Sequence, residues 1–310
     1  MIYFYLTYIV FSILAAIYLK KKNYLSNFSG DDHQLFSNKK NIPLVGGILL
    51  FIPIILLDFK NFFFILSIIS ITLIGLLSDK KILTSPQKRF LFQLAFIVIA
   101  VTTLNLEIIS SRINFFDNLL NINMFNIFFT SFCLLILING SNFIDGMNGL
   151  LLIYISLLLF VIFKLELLPQ SIMNKDLLIY LIFFMIILTI LNLFNILMLG
   201  DTGAYLISFF IGYLIINCHK FNPNISPYFF ITLVWYPCYE NLFSILRKLK
   251  SKFSPLAPDN NHLHQLVYKL IKNRFFKQKL FANNISSILI NSINLLIISI
   301  SLNDPYNTVY

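Results

Sequence analysis

The sequence predicts an all-α polytopic membrane protein with about ten transmembrane helices and cytoplasmic catalytic loops. Three observations carry that expectation. Hydrophobic residues make up 58% of the 310-residue chain and charged residues 12%, and the mean hydropathy is +0.82, far outside the range of a soluble domain. Many apolar runs approach the roughly 17 to 25 residues that cross a bilayer as a helix. None shows the long alternation of a membrane barrel.

The elements follow in order. Met1 to Leu19 is apolar, and its positive charges, Lys20, Lys21 and Lys22, come after it. A cleaved signal peptide has the opposite polarity, so this run is expected to be a retained first helix. Further spans are expected near 42–57, 62–77, 90–104, 124–138, 149–163, 177–198, 203–217, 228–246 and 284–301, each bounded by polar breaks where most glycines and prolines fall. There is no internal repeat or heptad run, so residues 1–310 are read as a single integral-membrane domain. Cys133, Cys218 and Cys238 have no metal-like spacing and are read as packing residues.

A net charge of +10 suits nucleic acid in principle, but here the bases come in short clusters between apolar runs. Topology explains them better, and no nucleic-acid partner is expected. Lys20 to Lys22, Lys39, Lys40, Lys80, Lys81, Lys88, Arg89 and the run from Arg247 to Lys279 fall in one set of alternate loops. The other set holds only Lys60, Arg112, Lys164, Lys175 and Lys220. The positive-inside rule then places loops 20–41, 78–89, 139–148, 199–202 and 247–283 in the cytoplasm and both termini outside. Those cytoplasmic loops also carry Asp31, Asp32, Asp79, Asp145, Asp201, Asp259, His33, His262 and His264, so an active site is expected on that face.

Four groups have residue types suited to chemistry. Asn139, Asn142, Asp145 and Asn148 recur every three residues in a glycine-rich stretch. Their mixed donors and acceptors suit a nucleobase or sugar amide better than a bare polar turn does. Asp201, in Leu199-Gly200-Asp201-Thr202-Gly203, is either a hard ligand for Mg²⁺ or a cap on the next helix. Asp79 either shares a metal or accepts a proton, or else belongs to a solvated charge cluster with its basic neighbours. His262 and His264 lack the third ligand of a zinc site and suit a diphosphate, or are simply solvated at the interface.

Together these residues resemble the polyprenyl-phosphate N-acetylhexosamine 1-phosphate transferase family, glycosyltransferase family 4, in its undecaprenyl-phosphate GlcNAc 1-phosphate branch. The likeness runs from Ile42-Pro43-Leu44-Val45-Gly46-Gly47 to His264. Asn139 to Leu150 is similar to the family's Asn-x-x-Asn-x-x-Asp-Gly-x-x-Gly-Leu, Gly200-Asp201-Thr202-Gly203 to its Gly-Asp-x-Gly element, and Ser254 to His264 to its histidine loop.

The resemblance implies transfer of a sugar 1-phosphate from a UDP-N-acetylated sugar to polyprenyl phosphate at the bilayer, with Mg²⁺ or Mn²⁺ as cofactor and room for a homodimer. It implies Asp79, Asp145 and Asp201 as catalytic, Asp201 and Asp79 as metal ligands, and Asn139, Asn142, Asn148, Asp259, His262 and His264 as substrate-binding. The chain departs from the pattern at Ser78-Asp79-Lys80, where the family has adjacent aspartates, and at Asn148, Met198 and Gln265. The single aspartate motivates a second reading, a non-catalytic binding paralogue. A transporter ranks below both, because it needs ionisable residues within the spans and Glu240 is the main one here.

Overall fold

The computed structural model describes residues 2–26, 42–58, 60–169, 172, 174–250 and 261–308. Among these there are helices and no strand, with two isolated bridges tying Ser26 to Pro43 and Leu44 to Met198. The helices are α1 (Ile2–Lys21), α2 (Gly46–Ile55), α3 (Phe62–Asp79), α4 (Pro86–Thr103), α5 (Asn114–Leu120), α6 (Asn123–Ile144) and α7 (Leu150–Lys164). They continue with α8 (Lys175–Leu193), α9 (Gly200–Phe221), α10 (Pro227–Leu233), α11 (Trp235–Lys250), α12 (Leu263–Arg274) and α13 (Lys279–Ser301).

Every apolar run expected to cross the bilayer folds as a helix or a helix pair. Among the described residues, five helices are long and apolar enough to span: α3, α6, α8, α9 and α13. The pair α10 and α11 is bent by 76° and makes a sixth if it is one span. The all-helical, multi-pass membrane class therefore holds, with five or six such spans where the sequence suggests about ten.

Three local expectations are corrected. The stretch 139–148 is a loop only from Asp145 onward, because α6 carries Asn139 and Asn142 as helical residues up to Ile144. Loop 247–283 contains α12, whose Leu263, Leu266, Val267, Leu270 and Ile271 repeat at helical spacing. The run 228–246 is broken at Val234 between α10 and α11.

α9 is the axis of the bundle. Its membrane-length window is wholly enclosed, and α2, α3, α6 and α7 pack around it. A helix shielded from lipid on all sides can carry polar side chains, and α9 buries Thr202, Ser208, Asn217 and His219. Small residues let the neighbours in. A Cβ on Gly47 would lie 2.6 Å from the Gly203 Cα, and one on Gly75 would lie 2.7 Å from the Thr202 nitrogen. On α6, a Cβ on Gly140 would lie 2.6 Å from the Pro237 carbonyl carbon of α11.

These are backbone contacts that no rotamer change relieves. Gly75→Ala is therefore expected to cost upward of about 2 kcal/mol and to lower the melting temperature of the detergent-solubilised protein, whereas an unchanged melting curve would refute the close approach of α3 to α9.

The two ends of the bundle differ in charge. Asp79, Asp145 and the start of α9 share one end with Lys20, whose Nζ donates to the Asn195 carbonyl at 2.6 Å. At the far end Arg112 donates to the Tyr306 carbonyl at 2.7 Å and to the Asn224 carbonyl at 2.6 Å, closing the loops there.

Candidate active site

The site is built on the first turn of α9. The opening N–H groups of a helix lack partners within it and carry partial positive charge, and Leu199 at the cap position offers no side-chain acceptor. The acceptor comes from α3. Asp79 Oδ1 accepts the Asp201 N–H at 2.9 Å, while Oδ2 accepts the Thr202 N–H at 3.0 Å and the Thr202 hydroxyl at 2.5 Å. Asp79 is 7% exposed, so these bonds are shielded from water. Gly200, at φ +72°, turns the chain into the helix where a Cβ would lie 2.7 Å from Asp79 Oδ2, so glycine is required on both counts.

Capping by Asp79 leaves Asp201 pointing outward from the first turn. Its Oδ2 accepts from Ser78 Oγ, from Arg89 Nη1 at 3.0 Å and from the Tyr205 hydroxyl at 3.3 Å. Among the described residues its Oδ1 takes no hydrogen bond, and the side chain is 23% exposed. Arg89 reaches it because Ser85 and Pro86 start α4 with a side-chain cap and a proline in the first turn, placing Arg89 one turn in.

Asp145 ends α6 as its C-cap residue. Burial pushes its carboxyl well up from the ordinary range, and the charges of Asp201 and Asp79 push it the same way. Three carboxylates from α3, α6 and α9 are thus held close enough to feel one another. Arg89 offsets the charge of Asp201, and a further cation would ease the remaining repulsion.

The asparagines divide. Asn142 is half-buried and makes no hydrogen bond among the described residues, so its amide is open to a ligand. Asn139 donates to Gln93 Oε1 at 3.2 Å and to the Leu135 carbonyl at 2.9 Å. Asn148 is 3% exposed. Its N–H donates to Asn283 Oδ1 at 2.9 Å and its Nδ2 to Asn195 Oδ1 at 2.8 Å. This amide cluster joins the end of the stretch to α13 and to the turn after α8.

His262 and His264 fold onto the same stretch, with the His262 ring 4.8 Å from that of Phe143. A Cβ on Gly146 would lie 3.7 Å from His264 Nε2. Gln265 Oε1 accepts the His262 N–H at 3.3 Å, closing a capping box at the start of α12. Asp259, with His33, Lys39 and Lys40, lies outside the described residues. Sequence reasoning did not place Arg89 against Asp201 or Glu240 beneath the histidines. The second had a signal, a lone acid in an apolar helix.

Mg²⁺ fits this donor set. Asp201 offers a hard oxygen with no hydrogen bond among the described residues, and the Asp145 carboxyl is a second oxygen donor near enough to interact with it. Among the described residues no three His, Cys, Asp or Glu side chains form a ready cage. Mg²⁺ does not need one, since it commonly binds one or two carboxylates together with water and substrate phosphate.

A multi-pass helical membrane protein with acids gathered at one end of its bundle is the class these features define. The chain belongs to glycosyl transferase family 4, whose family model matches residues 61–219, the segment from α3 through α9 that contains all three carboxylates. It is also 26% identical over 236 residues to the undecaprenyl-phosphate alpha-N-acetylglucosaminyl 1-phosphate transferase of Thermotoga maritima, covering 76% of this chain and 71% of that protein.

Proposed function

We propose that the protein transfers a sugar 1-phosphate from a UDP-N-acetylated sugar to a polyprenyl phosphate, undecaprenyl phosphate in a bacterial inner membrane. A phosphate oxygen of the lipid forms a bond to the β-phosphorus. The bond from that phosphorus to the bridging oxygen breaks, and UMP leaves. The products are polyprenyl-diphosphate-sugar and UMP. The observation that carries this reading is the convergence of Asp79, Asp145 and Asp201 at one end of the bundle within the family-matched segment.

The physical obstacle is the meeting of two anions. Bound Mg²⁺, or Mn²⁺, would reduce that repulsion and stabilise charge in the transition state. Asp201 is the residue to hold it, with Asp145 beside it. Asp79 was expected to share the metal or take a proton. With both oxygens engaged at the start of α9, its part is to set the direction of Asp201. Arg89 sits where it can pass from Asp201 to a phosphate once the carboxylate has a metal partner. Asn142, together with the surrounding Asn139–Gly149 stretch, supplies the nucleotide contacts, and His262 and His264 lie over that stretch. Charge topology supports a cytoplasmic site and external termini, and the apolar runs of the sequence support about ten crossings.

Purified protein with Mg²⁺, undecaprenyl phosphate and a panel of UDP-sugars is expected to release UMP with at least one donor. One observation favours a second reading. Ser78-Asp79-Lys80 holds one aspartate where the resemblance implies two, and Arg89 already neutralises Asp201, as in a binding paralogue without turnover. Nucleotide binding without UMP release from any donor would favour that reading.

A further inference from the structure

Glu240 lies on α11 with its side chain 2% exposed, in a helix rich in aromatic residues. A carboxylate in such surroundings persists only when donors meet it. Three do. His262 Nδ1 lies 3.1 Å from Oε2, His264 Nδ1 lies 3.5 Å from Oε1, and the Tyr236 hydroxyl donates to Oε1 at 3.3 Å. The His264 approach is in ion-pair range, and its Nδ1 makes no hydrogen bond among the described residues.

Both rings, stacked with centroids 5.5 Å apart, therefore turn the same nitrogen toward one acid. A simple clip between α11 and α12 needs only one such contact. Two contacts through the same ring atom fix two tautomers together.

The consequence lies on the opposite edge of the rings. In an imidazole, a carboxylate at Nδ1 holds the proton there and leaves Nε2 as the outward-facing group. For His264 that edge faces Gly146, within the Asn139–Gly149 stretch. Burial also pushes the His264 ring down from its ordinary value, which favours the neutral form with a lone pair on Nε2.

We infer that Glu240 is a positioning residue: by accepting from His262 Nδ1 and setting its charge 3.5 Å from His264 Nδ1, which favours the proton there, it presents His264 Nε2 as a hydrogen-bond acceptor to an O–H or N–H donor of the nucleotide-sugar. This rests on the transferase reading above and makes it more specific. An acceptor suits the hydroxyl and amide hydrogens of the donor substrate, whereas a diphosphate would require a proton on that nitrogen. Glu240 touches no substrate itself.

The test combines ¹⁵N NMR of the histidine rings with ligand affinity. The chain has only four histidines, so His262→Gln and His264→Gln assign the signals. In the wild type, His264 is expected as the Nδ1–H tautomer. In Glu240→Gln, that population is expected to mix with the other tautomer, and Kd for UDP-N-acetylglucosamine, with KM where turnover is seen, is expected to rise about tenfold while kcat falls much less. Glu240→Asp should recover part of the affinity.

A wild-type His264 protonated at Nε2 overturns the inference, and needs no variant that folds. So does a Glu240→Gln protein with unchanged tautomers and affinity. The expected tautomers together with no UMP release from any donor would instead overturn the transferase reading and leave the Glu240 assignment standing.

Discussion

Asp201→Asn is expected to lower UMP release by on the order of a thousandfold, the scale seen when a group stabilising transition-state charge is removed. The substitution keeps the side chain's size and one acceptor oxygen, removes the charge and turns the other oxygen into a donor. Its partner Arg89 is 28% exposed and retains access to water, so the loss of the ion pair should cost little stability. The melting temperature should therefore stay near that of the wild type while turnover disappears. A chelator gives the matching control: it should silence the wild-type protein, added Mg²⁺ should restore it, and the variant should respond to neither. Turnover in Asp201→Asn within tenfold of wild type would remove Asp201 from the metal role.

The contrast between Asp201 and Asp79 shows what the sequence could say. Both were legible as acids at helix ends on the basic face, because hydropathy and charge alternation carry that information. Their division of labour was not. A cap supplied by a helix more than a hundred residues away leaves no local pattern, so Asp79 reads as part of a charge cluster although both of its oxygens are engaged. Asn139 and Asn142 were legible as a recurring polar set. Their helical state was hidden because glycine and asparagine are poor helix formers in isolation, and the backbone contact of Gly140 with α11 is what makes glycine necessary there. α12 was legible in principle, through apolar residues at helical spacing, but its charged residues resemble a loop. Glu240 stood out by its setting, while its histidine partners lie on another helix.

Asp79→Ala is expected to lose both stability and activity, and the reason differs from that for Asp201. The acceptors for two backbone N–H groups and the Thr202 hydroxyl disappear from a site only 7% exposed on the capping side chain. Unmet buried donors at a helix N-terminus should cost about 2 to 4 kcal/mol, read as a lower melting temperature in detergent. Asp79→Asn should do almost as badly, because its amide hydrogens would face an N–H where an acceptor is needed. Thr202→Val removes one bond and leaves the two backbone contacts, so a loss of about 1 kcal/mol is expected. As the first turn of α9 loosens, Asp201 loses its fixed direction, and the apparent Mg²⁺ affinity in the transfer assay should fall with it. A solvated surface aspartate would change the melting temperature very little. If Asp79→Ala melts like the wild type and still cannot transfer, the carboxylate acts directly on metal or lipid phosphate, and the capping role is wrong.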